Sequence, residues 1–336
     1  MVLLIFVGAA WLLYERLQKY TFHQIVAAVR GIPLRHITLA TMLMVLNYLI
    51  LVGYDWFAVR WVGEKQLPLR RIALASFTGY AFSYNFGATL FGTSIRYRLY
   101  SAWGVPLIKI LELLVILGLT FWFGVFTLAG LVFMVAPFEL PAYLQIPGRP
   151  QDRLEMPFQH TFWVGVVLLL VAAAYVVLSA VRRKPFRFLR WNVPIPPLKL
   201  TLYQIALACG DLLVAAGVLY AVLPPVEGGY FRVLGVFMLA FVVAILSHVP
   251  GGYGVFDGLV FHFLATEQGN LVPQVHGAQV LAALIVFRVI YYWVPLVFAA
   301  ALLGGNELTM RNSNGEEAST AAEPITVSDG PPSQSG

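Results

Sequence analysis

Apolar residues run in long blocks along this chain, separated by short stretches that are basic, polar or rich in proline and glycine. The blocks at 37–59, 106–137, 161–181, 200–223, 231–247 and 277–303 carry few charges. About 20 apolar residues in a helix cross a hydrocarbon core of about 30 Å, so each block predicts a membrane-spanning helix. The run from Pro106 to Pro137 is longer than a perpendicular crossing needs, which predicts tilt. Before the first of these blocks, TFHQIVAAVRGI (21–32) places Phe22, Ile25, Val26 and Val29 at helical spacing and predicts an amphipathic helix on the membrane surface. The opening MVLLIFVGAAWLLYERLQKY lacks the basic start and small-residue cleavage site of a signal peptide. It is expected to be either a first membrane helix with a trimmed beginning or an interfacial segment, and its first 14 residues do not decide between the two.

Two blocks interrupt themselves. SHVPGGYGVFDGLVF (247–261) follows an apolar run and holds a histidine, a proline, four glycines and an aspartate. Pro250 removes a backbone donor, and the glycines weaken any helix through them. In hydrocarbon each orphaned backbone group costs several kcal/mol, so unwound backbone survives only inside protein or beside a wet cavity. A re-entrant hairpin or a broken helix is predicted. The second interruption lies within 72–104, where Asn85, Gly87 and Gly92 break the run and Arg96 and Arg98 follow. If 72–95 dips in and returns, the flanking stretches RWVGEKQLPLRR and IRYRLY both stay on one basic side. Two broken segments, each followed by a long helix, are the pattern of repeat-built transporters with a midplane site; two unrelated kinks are the alternative.

Composition agrees: 60% of the 336 residues are hydrophobic and 11% charged, with a mean hydropathy of +0.78. Soluble domains run nearer 45–50% and about 25%. The expected class is an all-α polytopic integral membrane protein with about 6–8 membrane helices, two of them broken or re-entrant. The chain divides into a membrane domain, 1–303, and a polar, acidic tail, 304–336, expected to be disordered. The net charge of +6 does not point to nucleic acid, because the basic residues sit between apolar runs. The loop VRRKPFRFLRWNVPIPPLK (181–199) is the most basic and is expected to be cytoplasmic, while the proline-rich connector 137–160 is expected outside. That orientation places the tail in the cytoplasm. Cys209, the lone cysteine, predicts a small core residue, and the histidines show no metal-ligand spacing.

Ionisable residues at membrane depth are the candidate chemistry. Arg288, in ALIVFRVIYYWVPLVF, must face protein or water. Its partner is either a substrate headgroup or a buried carboxylate such as Asp257 or Asp211, and Tyr291 and Tyr292 follow on its helical face. Asp257 either caps a half-helix or joins the substrate path. Gly251, Gly252 and Gly254 supply the unwound backbone, and Gly254 with Gly258 forms a GxxxG that allows close helix packing. His248 either carries protons or is merely hydrogen-bonded. Asp55, on a face with Tyr48 and Val52, and the deeper Asp211 are further acids within apolar runs, and Lys109 with Glu112 predicts an interfacial ion pair. Arg96 and Arg98, with Tyr97 and Tyr100, form a basic-aromatic cluster suited to anionic headgroups or to simple anchoring.

The combination of NFGATLFGTSIRYRLYSAWGVP, SHVPGGYGVFDG and FRVIYYWVPL resembles the transmembrane region of lysylphosphatidylglycerol synthase/flippase proteins, and in particular small bacterial inner-membrane proteins that share this region. The resemblance covers about residues 20–303. It implies an inner-membrane location and the lipid-translocating half of such proteins without the soluble synthetase half, so no catalytic residues, cofactor or metal are expected. One departure is Asp257, where that family often carries Glu. The expected function is binding and translocation of a phospholipid between leaflets, aminoacyl-phosphatidylglycerol or another anionic lipid. The expected partners are membrane phospholipids, with a lipid-modifying enzyme as a second partner class. A non-transporting partner of such an enzyme is the competing function, and a membrane-embedded lipid enzyme a third.

Overall fold

The structure, a computed structural model, describes residues 20–87, 91–137, 143–146, 149–155, 160–181, 186–188, 191–193, 196–267, 270–271 and 274–306. The opening segment before Tyr20, the side chains of the 138–159 and 182–195 connectors, and the tail beyond Asn306 lie outside that description.

Helices dominate. The short α1 (Phe22–Gly31) begins with a reciprocal cap in which Thr21 and Gln24 satisfy each other's backbone N–H groups. Four longer helices follow a common start: α2 (Leu34–Trp61), α3 (Leu69–Phe86), α5 (Leu107–Val135) and α7 (Leu198–Val222) each begin directly after a proline, Pro33, Pro68, Pro106 and Pro197. Proline fixes its own φ near the helical value and lacks the N–H that a first turn would leave orphaned. The remaining helices are α4 (Thr93–Ala102), α6 (Thr161–Val181), α8 (Gly229–Leu246), α9 (Val255–Ala265) and α10, which runs from Gln274 through a π turn at Val289–Trp293 to Asn306. Three short antiparallel strand pairs sit in connections and build no layer of their own.

Among the described residues six helices are long and apolar enough to cross a membrane: α2, α5, α6, α7, α8 and the 31-residue stretch His276–Asn306 of α10. The protein is an all-α, multi-pass membrane protein. Large apolar side chains left exposed on α2 (Leu39, Met42, Leu49), α6 (Trp163, Val167, Leu170) and α10 (Val297, Phe298) suit a lipid solvent rather than water. Small residues set the closest contacts. A Cβ on Gly124 would collide with Ala208 of α7, and one on Gly130 of α5 or Gly165 of α6 would lie 3.1 or 2.8 Å from the other's carbonyl oxygen.

Two of these segments turn back. Arg71 lies over Trp103, Arg96 lies against Gly79 and Gly92 against Ser83, so α4 runs antiparallel to α3 and the pair forms a hairpin, α3 ending at Phe86 with Gly87 at φ +100°. Likewise Phe237 packs on Phe256 and Gly252 on Ala244, so α9 returns along α8. The α8 helix is thus long enough to cross but does not lead across. Among the described residues that leaves five of the six to cross, and their antiparallel succession puts the two hairpins at opposite ends of the bundle. The α3–α4 hairpin enters from the end where α2 finishes and α5 starts; the α8–α9 hairpin enters from the end where α7 finishes and α10 starts.

Observed element bounds differ from the sequence-based ones by a few residues, mostly because the prolines start helices earlier than the apolar runs do. The predicted GxxxG packing is not found: a Cβ on Gly258 would meet nothing within 4 Å. Gly254 serves the break instead, with φ +78°. Cys209 is half-buried, with its Sγ 3.8 Å from the Gly124 carbonyl oxygen.

Candidate functional site where two hairpins meet

The hairpin tips touch at mid-depth. Asn85, at the end of α3, donates from Nδ2 to the Ala81 carbonyl at 2.8 Å and to the Tyr292 carbonyl of α10 at 3.1 Å. Its own carbonyl oxygen faces Gly251 of the other hairpin, where a Cβ would sit 3.1 Å from it. Gly251 and Gly252 have φ of +63° and +62°, a region that side chains with a Cβ rarely adopt, so both backbone and space select glycine at this meeting point. The unwound carbonyls of these two residues point into protein.

Arg288 receives them. Its Nη1 donates to the Gly251 carbonyl at 2.6 Å and its Nη2 to the Gly252 carbonyl at 3.4 Å, while Nε and Nη2 form a bidentate pair with Asp257 at 3.0 and 2.8 Å. Tyr292 and Tyr253 sandwich the guanidinium, with ring centroids 4.4 and 4.5 Å away. Arg288 is 5% exposed. Asp257 also accepts the Gly254 N–H at 3.2 Å, so it caps the start of α9 and neutralises Arg288 together. The shorter acid, where the resembled family often has Glu, reaches its partner.

A second pair of the same kind ties the other hairpin down. Arg96 of α4 donates from Nε and Nη2 to the two carboxylate oxygens of Asp55 on α2 at 2.9 and 3.0 Å, and the Tyr100 hydroxyl adds a bond to Asp55 at 3.2 Å. The Tyr80 ring lies 4.2 Å from Arg96 Cζ. The expectation that Arg96 and Arg98 act together at an exposed mouth is corrected: at helical spacing two residues apart they face opposite ways, and Arg96 is buried while Arg98 is exposed.

Between the two pairs lies a third group. Asp211, about 20 Å along α7 from its start, accepts Asn47 Nδ2 at 2.7 Å and the Tyr54 hydroxyl at 3.1 Å. Asn47 in turn accepts the Tyr291 hydroxyl at 2.7 Å. Three crossing helices, α2, α7 and α10, are thereby joined through side chains at mid-depth. Tyr48, Tyr84 and Tyr291 pack ring to ring around this point. The expected shared face of Arg288, Tyr291 and Tyr292 splits: Tyr292 covers Arg288, while Tyr291 turns to Asn47. The π turn explains the split. Pro295 offers no N–H to the Tyr291 carbonyl, and the helix before it widens.

The structure therefore gathers Arg288, Asp257, Gly251, Gly252, Gly254, Asn85 and Tyr292 in one group, Tyr291 and Asp211 in the adjoining one, and Arg96 with Asp55 in the third. His248 is in none of them: it is exposed, has φ +55°, and its Nδ1 lies 2.9 Å from the Leu246 carbonyl oxygen. Lys109 and Glu112 are 3.5 Å apart. Sequence reasoning passed over Asn47, Tyr54, Tyr80 and Tyr253. Asn47 carried a usable signal, an amide in the middle of an apolar span, and Tyr54 lies two turns from it on the same face. Among the described residues no three His, Cys, Asp or Glu side chains gather to hold a metal.

Comparisons with known proteins follow this geometry. No protein-family model matches the chain. Over 309 residues it is 36% identical to a Synechocystis protein named Uncharacterized protein slr0712, covering 90% of this chain and 89% of that one. It is 28% identical over 297 residues to the inner membrane protein YbhN of Escherichia coli, covering 88% of each. A phosphatidylglycerol lysyltransferase of Staphylococcus aureus is 30% identical over 149 residues, which are 43% of this chain but 17% of that protein.

Proposed function

The chain belongs to the membrane-protein family represented by slr0712, and from that premise we propose that it binds phospholipid in the bacterial inner membrane and moves it between leaflets. The observation that carries the reading is the meeting of two oppositely inserted, unwound hairpin tips at mid-depth, beside a buried arginine. Such sites, formed by discontinuous helices at the midplane, suit substrates that must cross. The lipid headgroup follows the polar seam past Asp257, Arg288, Tyr292 and Tyr291 while the acyl chains stay in the bilayer. Fixed dipoles along the seam replace the hydration that a charged headgroup loses.

In the present state each guanidinium is paired with a carboxylate through Nε and Nη2. A headgroup phosphate engages Arg288 by exchanging with Asp257, since carboxylate and phosphate offer the same bidentate geometry to an arginine. The Arg288–Asp257 and Arg96–Asp55 pairs then act as latches on the two hairpins. The end bearing Lys65, Arg70, Arg71, Arg98 and the 181–199 loop is the more basic and is read as cytoplasmic, which places the tail there too. The reading is non-enzymatic, and chemical change of lipid by the purified protein would speak against it.

The short region shared with a protein named phosphatidylglycerol lysyltransferase favours one second reading, a non-transporting partner of a lipid-modifying enzyme. Vesicles separate the two. Reconstituted protein is expected to expose labelled phosphatidylglycerol from the inner leaflet to an external quencher, and Arg288→Ala, still monodisperse on gel filtration, to abolish this. An unaltered rate in that variant sinks the proposed path; no rate in either, with stable co-purification of a lipid-modifying enzyme, supports the partner reading.

A further inference from the structure

The three buried acids at membrane depth are not equivalent. Asp55 and Asp257 each face an arginine within 3.0 Å. Asp211 is 3% exposed, and the side chains bonded to its carboxylate are an amide, Asn47, and a phenol, Tyr54. The titratable groups that face it are phenols: Tyr48 and Tyr54 from α2, Tyr80 and Tyr84 from α3, and Tyr291 from α10. From α8, Tyr230 donates instead to the Leu213 carbonyl at 2.6 Å, and Cys209 on α7 itself turns to Gly124 of α5. Among the described residues no cationic side chain is bonded to this carboxylate. An ionised carboxylate held in low dielectric without a counter-charge is strongly disfavoured. Neutral donors orient it but bring no positive charge. Among these phenols the Tyr48 hydroxyl, on a side chain 5% exposed, has no hydrogen-bond partner among the described residues.

We propose that Asp211, held by Asn47 and Tyr54, is a proton-binding site. A bound proton neutralises this carboxylate as the arginines neutralise the other two acids. Its arrival has a defined route of action. Neutralising Asp211 weakens its hold on Asn47; Asn47 accepts Tyr291; Tyr291 is joined in the π turn to Tyr292, whose carbonyl holds Asn85 at the tip of the α3–α4 hairpin. Protonation is thus read at the hairpin junction through a chain of five residues on four helices, and the π turn before Pro295 is the deformable link.

The site is tested on the intact purified protein in nanodiscs, without any transport assay, so it stands or falls apart from the translocation reading. Infrared difference spectra between acid and alkaline buffers read protonated carboxyl groups. A pH-dependent carboxylic C=O band is expected in the wild type, lost in Asp211→Asn and kept in Asp55→Asn and Asp257→Asn. Should Asp211→Asn not fold, Tyr54→Phe supplies the same test, because removing one donor shifts the carboxyl band without abolishing it. A wild type without such a band, or a band unchanged in Asp211→Asn and Tyr54→Phe, overturns the proposal.

Discussion

Removing the acid from each latch tests how far the two arginines depend on their carboxylates, and the geometry ranks the outcomes. Breaking a buried ion pair by neutralising one partner costs about 3–5 kcal/mol, because the other charge is left uncompensated. Asp55→Asn should lie in that range. Arg96 then keeps one amide acceptor and the Tyr80 ring face. In Asp257→Asn, Arg288 also keeps one amide acceptor, but its Nη1 still donates to the Gly251 carbonyl at 2.6 Å and it lies against Tyr292 and Tyr253. A hydrogen bond from a charged donor contributes about 1.5–3 kcal/mol; the longer contact to Gly252 adds little. Asp257→Asn is therefore expected to be milder than Asp55→Asn by about 1.5–3 kcal/mol, on the strength of that retained carbonyl bond. Reversible SDS titration in mixed micelles, followed by far-ultraviolet ellipticity, measures both. If Asp257→Asn destabilises as much as Asp55→Asn or more, the backbone carbonyls do not carry the share of Arg288 assigned to them, and the unwound tip is not a partner of the guanidinium.

Other outcomes follow from the same contacts. Arg288→Lys replaces a planar fork by a point charge that cannot serve Asp257 and Gly251 together; it should lower stability and retain only a small part of any lipid movement in vesicles. Replacing the whole pair, Asp257→Leu with Arg288→Met, should recover most of the stability that Asp257→Asn loses, while lipid movement stays absent, which separates the structural from the transporting role of the latch. Asn47→Leu leaves Asp211 and Tyr291 each short of one partner and should destabilise by roughly 1–3 kcal/mol for each, measured by the same titration. Opposite insertion of the hairpins is checked in a Cys209→Ser background. Tyr97→Cys and Arg71→Cys should label with an impermeant thiol reagent from one membrane face, and Phe22→Cys and Phe231→Cys from the other; labelling of all four from one face refutes the topology.

Much of the fold was written in the apolar blocks, because in a bilayer length and hydropathy alone decide what crosses. The breaks were equally legible: Pro250 with its glycines, and Asn85 with Gly87, violate helix chemistry where a helix is otherwise demanded. What the sequence could not supply was which way each break turns and what it touches. That is decided by residues such as Gly79 and Gly92, whose missing Cβ atoms let α4 lie against α3, and nothing in their local pattern separates them from any other glycine in a membrane helix. The partner of Arg288 could be narrowed to an acid but not chosen between Asp257 and Asp211, since both lie in apolar runs at similar depth; the choice is made by the unwound tip, which brings α9 and its capping acid alongside α10. For Arg96 the basic-aromatic pattern IRYRLY misled, because at a membrane boundary an arginine meant for headgroups and one meant for a buried acid look alike. The discriminating fact is that Asp55 still lies inside the apolar run 37–59, about five turns beyond its start and 12 Å or so past Asn47 along α2, where an unpaired acid is costly. A buried acid in one helix is thus the better guide to an inward-facing arginine in another than the arginine's own neighbours are, and by that reasoning Asp211, the acid for which no arginine is found among the described residues, is the one proposed to take up a proton instead.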